Sequence, residues 1–98
     1  MTIDNVKDGE TLTLKLTGRL DTTTAPELEA AVNREVDGIK NVVLDMEKLE
    51  YVSSAGLRVL LSIQKKMADN GTFVLKNVCD EIKEVLDITG FSSFLTIE

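Results

Sequence analysis

Alternating hydrophobic and polar residues mark the strands of this chain. Residues 11–18, TLTLKLTG, carry leucine at every second position, which predicts a strand with one buried face. Residues 41–46, NVVLDM, are apolar more continuously, as expected of a central strand. Residues 72–76, TFVLK, form the third main strand.

Two weaker strands are predicted at the ends of the chain. Residues 3–6 are short, and the Asp8-Gly9 pair that follows them is typical of a hairpin turn. The hairpin would place this first strand antiparallel to residues 11–18. Residues 94–97, FLTI, are predicted as a final edge strand.

Three segments between the strands carry apolar residues at helical spacing, namely residues 22–36, 53–70 and 79–90. In the first, Thr24 and Glu27 have the spacing of a capping box. In the second, Lys65 and Lys66 lie in the last turn, where the helix dipole favours cations. Gly71 is predicted as the C′ residue of that helix.

The order of these elements is β-β-α-β-α-β-α, with a possible last strand. Alternating strands and helices predict right-handed crossovers and a parallel sheet, to which the hairpin adds an antiparallel strand. Because residues 11–18 are apolar on one face only, we expect the helices mainly on one face. The predicted fold class is α/β, a single domain over residues 1–98 with a mixed, mostly parallel sheet of about four strands.

Composition narrows the range of partners and locations. Seventeen acidic and eleven basic residues give a net charge of −6, which argues against binding to nucleic acid or to an anionic membrane. No apolar run approaches the roughly 20 residues that span a bilayer. Cys79 is the only cysteine, so no intramolecular disulfide can form. With no leader sequence evident, a cytoplasmic location is expected.

The chain contains no histidine, which excludes a histidine phosphocarrier, a Ser-His-Asp triad and a histidine-ligated metal. It also lacks a glycine-rich phosphate loop, so neither a metal nor a cofactor is expected. Cys79 begins the third predicted helix, where a thiolate is favoured, but a lone cysteine also packs as a small apolar residue. Both interpretations of Cys79 stay open.

The adjacent serines Ser53 and Ser54 precede the second predicted helix and allow two interpretations. Serine is among the best helix N-caps, worth about 1 kcal/mol over alanine. However, one cap needs only one serine, and Ala55-Gly56 leaves the amides of the first turn accessible. A helix N-terminus with accessible N–H groups tolerates an anion, including a phosphate on its own serine.

Two acidic residues follow strands in the same way. Asp21 comes after TGRL and Asp45 after NVVL. The carboxyl ends of parallel strands gather at one edge of a sheet, so both acids are expected near Ser54. Asp21 and Asp45 could each form an Asx turn or helix entry, or together a carboxylate pair of an enzyme.

Three blocks of this sequence resemble the STAS domain in its stand-alone bacterial form, whose members are anti-sigma factor antagonists. The blocks are LTGRLDTTTAPEL, NVVLDMEKLEYVSSAGLRVLL and FVLKNVCDEIKEVLDITGF. The resemblance implies no enzymatic activity. It implies that the dephosphorylated protein captures an anti-sigma factor serine kinase, which frees a sigma factor. Phosphorylation by that kinase breaks the complex, and a serine phosphatase resets it.

The resemblance also implies which residues act. The family motif, Asp-Ser-Ser/Ala-Gly-Leu, places the phosphoacceptor on Ser54 and puts Ser53, the second choice as acceptor, where the family has aspartate. The partner surface would comprise Asp21, Thr24, Ser53, Ser54, Ala55, Gly56 and Leu57. Asp45 matches an acidic or amide position at the end of the central strand. The alternative function is a STAS scaffolding subunit of a bacterial transport or signalling complex, without phosphorylation.

Overall fold

Within residues 1–69 and 71–98, which the computed structural model describes, five strands form one sheet in chain order. They are β1 (Thr2–Asp8), β2 (Thr11–Leu20), β3 (Asn41–Val52), β4 (Thr72–Lys76) and β5 (Thr96–Ile97). The helices are α1 (Ala25–Glu35), α2 (Ser54–Ala68) and α3 (Asp80–Ile88), and a 3₁₀ turn, Phe91–Ser93, precedes β5. β1 pairs antiparallel to β2, and the other neighbours pair in parallel.

The predicted α/β class and mixed sheet are confirmed. The described residues form five strands rather than about four, because both weak terminal segments pair with the sheet. The hairpin predicted at Asp8-Gly9 joins β1 to β2, with Gly9 in the left-handed region at a φ of +61°. The predicted end of the second helix, at about Asn70, lies outside the described residues.

The hydrophobic core lies on one face of the sheet. Strand positions that are fully buried alternate with exposed or half-buried ones, as in Leu12, Leu14 and Leu16 of β2. Because the strands follow chain order, right-handed crossovers place every helix on the same face. The helices cover it with apolar stripes that include Leu28 of α1 and Leu60 of α2, both fully buried.

Three rows of side chains cover the other face, each running across neighbouring strands. They are Val6-Thr13-Val43-Val74-Thr96, Asp4-Lys15-Asp45-Lys76 and Asp8-Thr11-Asn41-Thr72. The first row is β-branched, the second alternates in charge, and in the third the Thr72 hydroxyl donates to Asn41 Oδ1 at 2.8 Å. Such cross-strand pairs let one face of a sheet meet water.

β3 is longer than its apolar pattern predicted, since it continues past residue 46 to Val52. The alternation is broken after Met46 because the register between β2 and β3 shifts twice, between Lys15 and Thr17 and again between Gly18 and Arg19. Such irregularities are typical of β-bulges. The bulged half of β3 therefore loses the sequence signature of a strand while it keeps its partner.

The prediction that Gly71 is a C′ residue is wrong. α2 ends with Asp69 as its C-cap, and Gly71 lies two residues beyond it, with its N–H donating to the Met67 carbonyl at 2.8 Å. A Cβ atom on Gly71 would lie only 1.7 Å from the Lys40 carbonyl oxygen. Glycine is needed here because two backbone segments touch.

We expect Gly71→Ala to lower the free energy of unfolding by about 1–3 kcal/mol, since the backbone must move to admit the methyl group. Urea denaturation followed by circular dichroism measures the change. Asp69→Ala, an exposed position at the same helix end, is the control and should stay within about 0.5 kcal/mol of wild type. A Gly71→Ala protein as stable as this control would contradict the close packing.

Candidate functional site

The carboxyl ends of β2 and β3 meet beside the start of α2. Leu20 and Val52 are partners in the sheet, and the Ser53 N–H donates to the Leu20 carbonyl at 2.8 Å. Two segments therefore start side by side at this edge of the sheet. They are the loop after β2, residues 21–24, and the turn after β3, which comprises Ser53 and the first turn of α2. We refer to these two segments as the loop pair.

The β2–α1 loop is closed by its own side chains. Asp21 Oδ1 accepts hydrogen bonds from the Thr23 N–H at 3.0 Å, the Thr23 hydroxyl at 2.7 Å and the Thr24 N–H at 3.1 Å. The Thr24 hydroxyl accepts from the Asp21 N–H and donates to the Arg19 carbonyl, both at 2.8 Å. Of the two interpretations of Asp21, these contacts favour the Asx turn.

The predicted capping box of α1 is wrong. Thr24 is the N-cap residue, but its side chain makes no capping bond, and its backbone is helical rather than extended. Its hydroxyl is already occupied by Asp21 and Arg19. Thr24 thus fixes the loop instead of the helix end.

The β3–α2 turn separates the roles of the two serines. Ser53 has an extended backbone and its Oγ accepts a hydrogen bond from the Gly56 N–H at 3.2 Å, so it is the N-cap of α2. Ser54 is the first helical residue and is exposed. Within the described residues its hydroxyl has no hydrogen-bond partner. One serine caps, and the other is available for chemistry.

Gly56 brings α2 into direct contact with β2. A Cβ atom on this residue would lie 2.8 Å from Leu20 Cγ and 3.0 Å from the Leu20 carbonyl oxygen. Gly56 is buried, and Leu57 beside it is 5% exposed. The absence of a side chain at Gly56 therefore lets the first turn of α2 pack on the end of β2.

Asp45 does not belong to the loop pair. It lies inside β3, opposite Lys15 and Lys76, and Val52 is seven positions further along the strand, or roughly 20 Å away. The prediction that Asp45 ends the central strand is wrong, as is its expected position near Ser54. With the two acids apart, the proposed carboxylate pair of Asp21 and Asp45 is wrong as well.

Hydrogen bonds lower the pKa of both acids. The Thr23 hydroxyl is the largest cause at Asp21, and the Asn77 amide, 3.0 Å from Asp45 Oδ1, is the largest cause at Asp45. Both carboxyl groups are therefore ionised at neutral pH. Asp21 adds a fixed negative charge to the β2–α1 loop.

Cys79 is the N-cap residue of α3, is half-buried, and packs against the core. Its side chain makes no capping bond. This position favours the packing interpretation of Cys79 over the reactive one.

One contact beside the loop pair was not predicted from the sequence. The Arg19 guanidinium lies over the Tyr51 ring, 4.3 Å from its centroid, and Arg19 Nε is 4.0 Å from Asp21 Oδ2. Arg19 and Tyr51 are partners across the bulged part of β2 and β3. Arg19 and Tyr51 are paired only because the register between β2 and β3 shifts, and the apolar pattern of the sequence does not show that shift.

The family profile of the STAS domain matches residues 2–98. The chain belongs to the STAS domain family. BtrV of Bordetella bronchiseptica, named as a proposed anti-sigma factor antagonist, is 39% identical over 84 residues, which are 84% of this chain and 72% of BtrV.

Solved structures share the fold of this STAS protein. An anti-sigma factor antagonist from Mycobacterium paratuberculosis matches with a TM-score of 0.88 at 23% identity, over 98% of this chain and 83% of that one. The phosphorylated form of SpoIIAA, a Bacillus cell fate determinant, matches with a TM-score of 0.77 at 18% identity, over 99% and 91%. At these identities the match shows the fold alone. None of the helices within residues 1–69 and 71–98 has the length and hydropathy of a membrane-spanning segment.

We expect Thr23→Val to raise the pKa of Asp21 toward its ordinary value of 3.8, because the hydroxyl that lowers it most is gone. Carboxyl-carbon NMR titration measures the pKa. Since folding lowers this pKa, the stability that the Thr23 hydroxyl supplies is present above pH 3.8 and disappears as the pH falls through the lowered value. Thr22→Val is the control, and an equal shift there would contradict the assignment.

Proposed function

We propose that this STAS protein is an anti-sigma factor antagonist whose loop pair binds an anti-sigma factor serine kinase. Phosphorylation of Ser54 by that kinase releases it, and a serine phosphatase restores binding. The observation that carries the proposal is the exposed Ser54 hydroxyl, without a partner among the described residues, on the first turn of α2 beside the capping Ser53. The name of BtrV as a proposed anti-sigma factor antagonist supports it.

Ser54 fits the role of acceptor better than Ser53. The Ser53 Oγ accepts from the Gly56 N–H, and Ser53 is only half-exposed. A phosphate on Ser53 would replace a cap worth about 1 kcal/mol. A phosphate on Ser54 leaves that bond intact and reaches solvent directly.

The fold should tolerate phosphorylation of Ser54. A phosphate adds about −1.5 to −2 charges at pH 7, and the first turn of α2 contains no acidic side chain. Negative charge near a helix N-terminus is stabilising by about 0.3–1 kcal/mol. The modified protein therefore stays folded, and the change is confined to its surface.

The same phosphate should be costly inside an interface. Like-charge contact or desolvation there costs several kcal/mol, and each 1.4 kcal/mol lowers affinity about tenfold. A loss of about a hundredfold in affinity therefore needs no refolding. The partner would be released by the added charge and bulk alone.

The direct test incubates the protein with the anti-sigma factor kinase of its source organism and ATP, followed by mass spectrometry. We expect phosphate on Ser54. Ser54→Ala should bind the kinase like wild type and resist release by ATP, whereas Ser54→Asp should bind about a hundredfold more weakly. Phosphate on Ser53 alone, or on neither serine, would contradict the proposal. Wild-type capture of a transport ATPase instead would favour the scaffolding alternative.

Ser53→Ala separates capping from modification. We expect it to lower the free energy of unfolding by about 1 kcal/mol, because the Gly56 N–H loses its acceptor. Ser54 should still be phosphorylated. Thermal denaturation and phosphate mapping on the same sample measure both effects. Loss of phosphorylation in a folded Ser53→Ala protein would show that Ser53 takes part in the modification.

A further inference from the structure

A narrow cleft separates the last residues of β3 from α3. It is lined by Glu50, Tyr51, Val52, Glu81, Ile82 and Val85. Its volume of about 180 Å³ is below the roughly 300–1,000 Å³ of small-molecule sites, so it suits a protein side chain. Val52 directly precedes Ser53, which makes the cleft continuous with the loop pair.

Two of the apolar side chains that line the cleft, those of Tyr51 and Val85, lie outside the core. Tyr51 is 40% exposed and Val85 is 38% exposed. Ile88, one turn further along the same side of α3, is 76% exposed. Contiguous exposed apolar residues next to a candidate interface are typical of a protein contact.

The polar edge of the cleft is negative. Glu50 and Glu81 are both exposed, and neither forms an ion pair within residues 1–69 and 71–98. Lys83 follows Glu81 by two residues, or about 200° of helix, and so lies on the other side of α3. Arg19 is the cation of β2 nearest to the cleft, and its guanidinium contacts Asp21 and the Tyr51 ring.

We propose that this cleft is a second contact surface for the anti-sigma factor, and that it takes an arginine or lysine flanked by an aliphatic side chain. The proposal rests on the function proposed above. The stem of such a residue packs on Tyr51 and Val85 while its charge lies near Glu50 and Glu81. The excess of acidic residues in the chain, with a net charge of −6, favours a basic occupant.

The cleft supplies affinity, and Ser54 supplies the switch. Ser53 lies between Ser54 and Val52, the last residue of β3 that lines the cleft, and no cleft residue accepts phosphate in this scheme. Changes in the cleft should therefore weaken binding of the unmodified protein and of Ser54→Asp by the same factor. This additivity is expected of sites that share no contact.

The test measures Kd by titration calorimetry against the purified anti-sigma factor kinase of the source organism, without nucleotide. The double variant Glu50→Gln/Glu81→Gln should bind about tenfold more weakly than wild type, with a smaller dependence on salt. Glu10→Gln/Asp37→Asn is the matched control, because it removes the same charge where β2 and β3 begin. It should bind like wild type.

Val85→Ser tests the apolar part of the cleft at an exposed position, where the fold should tolerate it, and we expect severalfold weaker binding.

If wild type binds but cleft and control variants bind equally well, the cleft proposal is wrong and the proposed function stands. If wild type does not bind the kinase, the proposed function fails and the cleft proposal with it. If sedimentation shows a wild-type dimer that the cleft variants abolish, the occupant is a second copy and the proposal is overturned.

Discussion

The contact between Leu20 and the first turn of α2 determines the geometry of the candidate site. The Leu20 carbonyl accepts the Ser53 N–H at 2.8 Å, and the side chain of Leu20, fully buried, fills the space beside Gly56. One residue at the end of β2 thus holds the start of α2 and begins the β2–α1 loop. Displacing Leu20 would move Asp21 and Ser53 together, which is why the loop pair acts as one surface.

The sheet that carries this contact is stabilised on both faces by contacts within the chain. On one face the helices bury the leucines of β2, and on the other the cross-strand rows place Lys15 beside Asp45 and Thr72 beside Asn41. Asp45 therefore stabilises the open face of the sheet and is not part of the candidate site. Val85 and Ile88 of α3 are exposed and belong neither to the core nor to the cross-strand rows. The proposed contact surface therefore includes apolar side chains that the fold itself does not require.

The sequence predicted what depends on local chemistry. Leucine alternation located β2, and the two adjacent serines indicated a helix cap, which Ser53 forms. Prediction from the sequence failed where tertiary contacts determine the local structure. The Thr24 hydroxyl bonds Arg19 and Asp21 instead of capping α1, and position 71 needs glycine because the Lys40 carbonyl lies against it. The end of β3 was missed because its bulges break the period of two. The same error placed Asp45 at the end of the strand, whereas it lies inside β3, and so produced the false carboxylate pair with Asp21.

Ser53 stands where the resemblance to the family motif implies an aspartate, and the structure gives this difference a physical meaning. Serine and aspartate cap a helix almost equally well, so the start of α2 is preserved. What changes is the charge next to Ser54. With a neutral cap, a phosphate arriving at Ser54 meets no negative side chain in the first turn and gains the full effect of the helix dipole. If Ser54 is phosphorylated as proposed, serine in place of aspartate at position 53 favours the phosphorylated form and leaves Ser54 in the same position.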